Sequence, residues 1–326
     1  MRNMLIVIDK LELKYFEFNQ LVTNFWMVKG LLDNGIDTYI TTIDNLSLKQ
    51  GKGCARCFKT YEKDNDIFYE KAPIDFCLEN FEKIFFRPDP PVNNDYINAT
   101  YIFDFVDKNK VQIINDTTAI RNFNEKLHAN YFKKFMPENI VTASKEEIEE
   151  FLNIHNEIIL KPLNNCFGAG VMYLKKGDKN TLSIIKTVTN NFTSICMVQK
   201  YIQNAQFGDK RVIILDGEVL DECVLKIPTS DDFKFNTHSD EYLKKAVLTE
   251  QEKIKFTQVA KKLKEMGILM AGLDVIDELI IEINVTSPCF FIKEINQRCS
   301  TRLEEKLNRF MLTSGKNHEI SNLVHT

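Results

Sequence analysis

Gly272-Leu273-Asp274-Val275-Ile276-Asp277-Glu278-Leu279-Ile280-Ile281-Glu282-Ile283-Asn284-Val285-Thr286-Ser287-Pro288 is the stretch from which the fold is read. Two apolar runs flank a polar pair, and their alternation predicts a β-hairpin over 272–286. In its second strand Leu279, Ile281, Ile283 and Val285 are expected to face a core, with Ile280, Glu282 and Asn284 on the other face. A three-residue turn at 277–279 puts Asp274 directly opposite Glu282, whereas a two-residue turn breaks that arrangement. Facing carboxylates repel unless a cation lies between them. With the amide of Asn284, Asp274 and Glu282 form an all-oxygen set suited to magnesium, which takes further ligands from water and phosphate. A hairpin with a solvated polar face fits the same spacing.

Two lysines stand upstream. Lys126 falls on a helix predicted over 117–135, and Lys161 ends the apolar strand 157–161, where Pro162 stops it. A lysine at a strand end can reach a phosphate as a point charge. The segment from Asn164 through Gly168 to Gly170 offers backbone N–H groups to phosphate or makes an ordinary turn; it lacks the P-loop order. Gln199, Lys200, Tyr201 and Ile202 end a third strand, which either lines an adenine slot or is plain core. Asp209, Lys210 and Arg211 open a hairpin over 211–227 that turns at Asp216-Gly217 and closes on Lys226. Arg211 and Lys226 either converge on phosphate or substrate carboxylate, or lie on the surface.

Towards the N-terminus, a strand at 3–8, a helix carrying Leu21, Phe25, Val28 and Leu32, and a strand at 36–43 make a βαβ pattern, which favours a parallel sheet. Residues 47–80 show no clear period. The strand at 83–86 stops at Arg87-Pro88-Asp89-Pro90-Pro91. A helix is expected over 94–109 and a strand over 111–115. Ser144 with Glu147, and Thr249 with Glu252, carry capping-box spacing ahead of helices, and a polar loop separates the hairpin from the second of these, from about 229 to 245.

The 326 residues exceed the ~250–300 at which single cores stop growing. We expect three units: an α/β domain over 1–120, a central lid over 121–202 and a third domain over 203–326. A formal charge of −4, from 42 basic and 46 acidic side chains, offers no nucleic-acid footprint. No stretch approaches the ~20 apolar residues of a membrane span, and the short run from Met4 to Ile8 is no signal segment. A cytoplasmic location and mostly reduced, buried cysteines are therefore expected. Cys54 and Cys57 form a lone CxxC without two further ligands, so a surface hairpin is expected there rather than a metal site.

In this order the segments resemble the bacterial glutathione synthetase family. They are Phe86–Pro91, Ala99–Ile102, Asn124–Leu127, Ile159–Leu163, Gly208–Val212, Asp216–Glu218 and Glu282–Pro288. The resemblance implies an ATP-grasp fold, with a Rossmann-like N-terminal α/β domain and ATP held between two following subdomains. It implies that Lys126, Lys161 and Gly168 hold phosphates, that Gln199 to Ile202 and Asp209 hold the nucleoside, and that Asp274, Glu282 and Asn284 hold magnesium, with manganese as the alternative. Arg87, Asn236, Thr286 and Ser287 are implied at the substrate, and Arg211, Lys226 and Lys234 at the transferred phosphoryl group. The implied reaction joins γ-glutamylcysteine to glycine through an acyl phosphate, with ATP as co-substrate. The family is often oligomeric. Asn165, Phe167 and Asp240-Glu241 depart from its glycine-rich loops, and lysines at 226 and 234 replace arginines. A ligase for another peptide or amino acid, or a nucleotide-binding protein without ligase activity, are the alternatives.

Overall fold

The apolar run at the N-terminus forms β1 (Asn3–Ile8), in which residues 4–8 are all buried. The computed structural model describes residues 3–10, 19–166, 168–228 and 242–314. After β1 come α1 (Thr23–Asp33) and β2 (Asp37–Thr42), and the two strands pair in parallel as the βαβ pattern predicted. Phe25, Val28 and Leu31 of α1 bury against Ile6 and Ile8, whereas Leu21 precedes the helix and is exposed.

The stretch 47–80 is more regular than its sequence suggests. It contains β3 (Leu46–Lys49), β4 (Lys52–Lys63), β5 (Asp66–Tyr69) and β6 (Ile74–Cys77). Cys54 and Cys57 lie on β4, the second strand of the expected hairpin, which β3 opens and Gln50-Gly51 turns; Cys54 sits opposite Ser47 on one side and Cys77 on the other, and Cys57 is buried rather than at the surface. All eight cysteines are free thiols, three buried and five partly so. Next come β7 (Lys83–Phe86), α2 (Asn94–Ile102), β8 (Gln112–Ile114) and α3 (Thr117–Arg121). The sheet runs β3-β4-β2-β1-β7-β8, with β5 and β6 attached to β4.

Two expected helices are shorter. α2 ends at Ile102, followed by a 3-10 turn at Phe103–Phe105. The helix expected over 117–135 breaks after Arg121 because local side chains capture its backbone. Asn124 Oδ1 accepts from the Lys126 and Leu127 amides, and His128 Nδ1 accepts from the Asn124 amide. Lys126 therefore stands in a turn, not on a helix, and a 3-10 run follows at His128–Phe135.

The central unit comprises β9 (Asn139–Thr142), α4 (Lys145–His155), β10 (Glu157–Pro162), β11 (Met172–Lys175), α5 (Thr181–Val188) and β12 (Cys196–Lys200). Its antiparallel sheet, β11-β10-β12-β9, has its own core of Ile148, Phe151, Leu160, Leu174, Ile185 and Val198 among others. The third unit holds β13 (Asp209–Leu215), β14 (Glu218–Lys226), β15 (Leu243–Ala246), α6 (Glu250–Glu265), β16 (Met270–Ile276) and β17 (Leu279–Asn284), ordered β15-β14-β13-β16-β17. Thr249 and Glu252 form the reciprocal cap of α6. Of the polar loop expected over 229–245, residues 229–241 lie outside the described residues, as do Lys234, Asn236, Asp240 and Glu241.

Two last helices tie the units together. α7 (Ile292–Cys299) packs on β14 and β15, and α8 (Leu303–Thr313) packs on α1. Asn115, at the end of β8, donates to the carbonyls of Met270 and Val285 and accepts from the amides of Leu269 and Met270. One buried amide side chain thus links the first sheet to both ends of the deciding hairpin.

The hairpin itself corrects the expectation in an instructive way. Its turn is two residues, Asp277 and Glu278, both at positive φ (53° and 62°). A bulge compensates: Val275 pairs with Ile280 while Asp274 pairs with Glu282, leaving Ile281 as the extra residue. Asp274 still faces Glu282, although the turn is one residue shorter than expected. The bulge also shifts the core phase. Ile280, Ile283 and Val285 are buried, and Ile281 joins Glu282 and Asn284 in lining a cavity.

Candidate active site

The register of the third sheet assembles a row of charge. Arg211 on β13 lies directly opposite Asp274 on β16, and Asp274 lies directly opposite Glu282 on β17. Asp209, two residues before Arg211 and so on the same face, pairs with Lys226 on β14. Sheet geometry alone therefore brings five ionisable side chains together.

They are also bonded. Arg211 Nε and Nη2 donate to the two oxygens of Asp274 at 2.8 and 3.2 Å. Lys226 Nζ lies 3.0 Å from both Asp274 Oδ1 and Asp209 Oδ2. Asn284 Nδ2 donates to Asp274 Oδ2 at 3.1 Å. Burial pushes the Asp274 carboxyl up, but the Arg211 and Lys226 charges outweigh it and hold the group well below the usual carboxylate range. For Asp209 burial outweighs the attraction of Lys226, and the carboxyl is pushed up. Arg211 and Lys226 thus converge on a carboxylate of the protein. Asp274 remains ionised and Asn284 adjoins it, so the donor chemistry of Asp274, Glu282 and Asn284 fits a hard divalent cation. No group of three or more His, Cys, Asp or Glu among the described residues is placed to hold a metal.

The central unit supplies the opposite wall. Lys161 lies opposite Met197 in the β10–β12 pair, which puts Gln199 on the neighbouring diagonal. Lys161 Nζ donates to Gln199 Oε1 at 2.8 Å and to the Ile281 carbonyl at 3.3 Å. Burial pulls this ammonium down to about 8. Lys126 Nζ donates to Glu282 Oε1 at 2.8 Å and to the Asn165 carbonyl at 2.7 Å. Burial pulls Lys126 down, yet Glu282 outweighs it and raises the group.

These walls enclose a cavity of about 230 Å³. Lys126, Lys161 and Gly168 line it, as do Gln199, Lys200, Tyr201, Ile202 and Asp209. So do Arg211, Lys226, Asp274, Glu282, Asn284, Thr286 and Ser287. Arg87 lies behind this lining, where Nε donates to Asn24 Oδ1 at 2.7 Å and Nη2 to the Pro288 carbonyl at 3.0 Å. Two polar atoms in the wall, Gln199 Nε2 and Asp209 Oδ1, are buried without a hydrogen-bond partner among the described residues. A donor and an acceptor so placed suit a polar ligand, since leaving each unsatisfied costs about 1–3 kcal/mol.

Sequence reasoning overlooked Glu125, Asn24, Cys166 and Cys289. Glu125, Cys166 and Cys289 line the cavity, and Asn24 orients Arg87. The only sequence signal was the place of Glu125 beside Lys126. Asn24 and Cys289 make contacts across folded units, which spacing along the chain does not report.

Known proteins resemble this chain over most of its length. Residues 3–121 match the family described as prokaryotic glutathione synthetase, N-terminal domain, and residues 125–300 match prokaryotic glutathione synthetase, ATP-grasp domain. The chain is 38% identical to a glutathione synthetase of Nostoc sp. over 245 residues, covering 75% of this chain and 74% of that one. With a glutathione synthetase of Vibrio cholerae it shares 33% identity over 287 residues, 87% of this chain and 90% of the relative. Among solved structures, the ATP-grasp ligase PsnB complexed with minimal precursor, Mg and ADP superposes with a TM-score of 0.59 at 13% identity, covering 95% of this chain and 97% of that one, a likeness of fold.

Proposed function

Since the chain belongs to the prokaryotic glutathione synthetase family of ATP-grasp ligases, we propose that its charged cavity activates the cysteinyl carboxylate of γ-glutamylcysteine with ATP and joins it to glycine. The carboxylate oxygen attacks the γ-phosphorus, ADP leaves, and an acyl phosphate forms. The glycine nitrogen then attacks the acyl carbon, phosphate leaves with the C–O electron pair, and the amine proton is lost.

Phosphoryl transfer needs alignment and charge neutralisation more than a covalent nucleophile. Lys126 and Lys161 hold the phosphates from the lid side, with Gly168 in the loop between. Gln199 Nε2, the Lys200–Ile202 backbone and Asp209 Oδ1 receive the nucleoside. Arg211 and Lys226, freed from part of their hold on Asp274, turn to the transferred phosphoryl group. Arg87, through the Pro288 turn, and Thr286 with Ser287 orient the dipeptide; Asn236 would join them and Lys234 would join Arg211 and Lys226, both falling outside the described residues. Asp274, Glu282 and Asn284 would hold magnesium, whose charge neutralises the phosphates during transfer.

The observation that carries this reading is the row Arg211–Asp274–Glu282 crossing β13, β16 and β17 against Lys126 and Lys161 in one cavity. The test is turnover of purified protein with ATP, magnesium, γ-glutamylcysteine and glycine. ADP and tripeptide should appear in equal amounts. Equal ADP release with another amine, and none with glycine, would overturn the substrate assignment.

A further inference from the structure

We propose that Glu125 is a positioning residue that sets the end of β17, and with it the metal-holding side chains and the Thr286–Ser287 turn. This rests on the reading just given, because it concerns how those residues are held.

Among the described residues β17 pairs with β16 along one edge only. On its other edge Glu125 supplies the acceptors a neighbouring strand would otherwise give. The Glu125 carbonyl accepts from the Ile283 amide at 3.1 Å. Its Oε1 accepts from the Val285 amide at 2.6 Å, from the Thr286 amide at 3.0 Å and from Thr286 Oγ1 at 3.0 Å. Ile283 and Val285 point into the core, so the intervening Asn284, and Glu282 before them, point into the cavity. Fixing the amides of 283 and 285 therefore fixes the rotation of the strand that aims both. The adjoining Lys126 bonds Glu282 directly and the Asn165 carbonyl of the lid loop. One dipeptide thus fastens residues 282, 283, 285 and 286 and ties them to the lid.

The second cavity explains why this device can be tested without unfolding the chain. About 330 Å³ in volume, it has Asn124, His128 and Leu163 in its walls, and Glu125 lines both cavities. Shortening the side chain opens the β17 donors to water from that cavity, so they remain satisfied while the strand end loosens.

The experiment measures Mn²⁺ affinity of the protein–ADP complex by calorimetry, together with KM values, for wild type, Glu125→Ala and Glu125→Gln. Glu125→Ala should weaken Mn²⁺ binding and raise the γ-glutamylcysteine KM by roughly tenfold or more, and hydrogen exchange at residues 283–286 should quicken. Glu125→Gln, which keeps an acceptor oxygen, should recover most of both losses. A Glu125→Ala protein with wild-type Mn²⁺ affinity and dipeptide KM, changed only in melting temperature, overturns the inference. Failure of the underlying reading shows separately, as a wild-type ADP complex that binds no Mn²⁺.

Discussion

Arg211 holds Asp274 by two parallel hydrogen bonds, and Lys226 adds a third contact to the same carboxylate. A cation bound by Asp274 must therefore share it with two resident positive charges. Asp274→Asn removes the ligand charge and leaves those cations less compensated. Changes to groups one layer behind a metal cost about 10–100-fold, so this substitution and Glu282→Gln should each lower magnesium-dependent kcat at least roughly 100-fold. Both proteins should remain folded, with Asp274→Asn melting lower because Arg211 stays buried. Near-normal kcat at saturating magnesium in both variants would remove the metal assignment.

The same pair predicts a pH response by its absence. The folded-state carboxyl of Asp274 lies below its ordinary value, so its contribution to stability is present above the unfolded carboxylate value of about 3.9 and is lost only as pH falls through the lower folded value. Melting temperature should show no loss attributable to this pair between about pH 5 and 7. The check follows the Asp274 carboxyl carbon by NMR, because Asp274→Asn would also relieve Asp209, which the Asp274 charge helps push up; a titration of Asp274 itself between about pH 5 and 7 would refute the account.

Lys161 behaves oppositely. Its partners are a neutral amide oxygen and a carbonyl, and burial pulls its ammonium down to about 8. Between about 8 and the unfolded value near 10.4 the unfolded chain binds more protons, so stability from this group rises with pH. Nucleotide binding should follow the reverse course, because phosphate needs the charged form. ADP affinity should fall as pH rises through about 8, with net proton uptake on binding there. Gln199→Glu supplies a carboxylate partner and should move that limb upward. Equal ADP affinity in wild type on both sides of this range would refute the account.

How much of this could be read from the chain alone depends on where each constraint lies. The hairpin was legible because alternation and turn residues are local; the Asp274–Glu282 opposition was expected from a three-residue turn and holds instead through the bulge. The turn length and the bulge were not legible. Residues Leu279 to Ile281 are apolar at every position, so no alternation marks where the phase slips. β4 was missed for a related reason: it lies towards the sheet edge and carries Lys, Arg and Glu among Gly, Ala and Cys, which blurs a period of two. Lys126 was placed on a helix because helix-forming residues surround it, while Asn124 and His128 cap the backbone against continuing. The contacts of Lys126 with Glu282, and of Asn115 with Met270 and Val285, join positions more than 150 apart. Only packing of the three units creates them.

Asn24 gives a prediction at the dipeptide end of the site. Its buried Oδ1 accepts from Arg87 Nε, and Arg87 in turn donates to the Pro288 carbonyl beside the Thr286–Ser287 turn. A hydrogen bond to a charged group contributes about 1.5–3 kcal/mol. Asn24→Ala should therefore raise the γ-glutamylcysteine KM roughly tenfold, since 1.4 kcal/mol is a factor of ten, and leave the ATP KM near its original value. An equal rise in both constants would show that α1 acts on the whole site rather than through Arg87.

Gly208 connects backbone conformation to the charged row. It takes φ +117°, and a Cβ there would lie 2.5 Å from the Lys226 carbonyl oxygen and 2.9 Å from Leu225 Cγ. Backbone, unlike a flexible side chain, has little room to give. Gly208→Ala must either strain the residue, at about 1–3 kcal/mol, or push β14 away from the start of β13. The second course separates Asp209 from Lys226, which face each other at that end of the pair. We expect a melting temperature several degrees lower, as about 1–3 kcal/mol implies for a chain of this size, together with a weaker ATP KM. Gly177→Ala is the matched comparison. Gly177 also has positive φ, +89°, but nothing lies within 4 Å of its added Cβ. It should carry the conformational cost without displacing a strand, so its stability falls while its KM values hold. If both substitutions leave the ATP KM unchanged, the close approach of Gly208 to Lys226 serves the fold alone and has no part in holding the charged row in place.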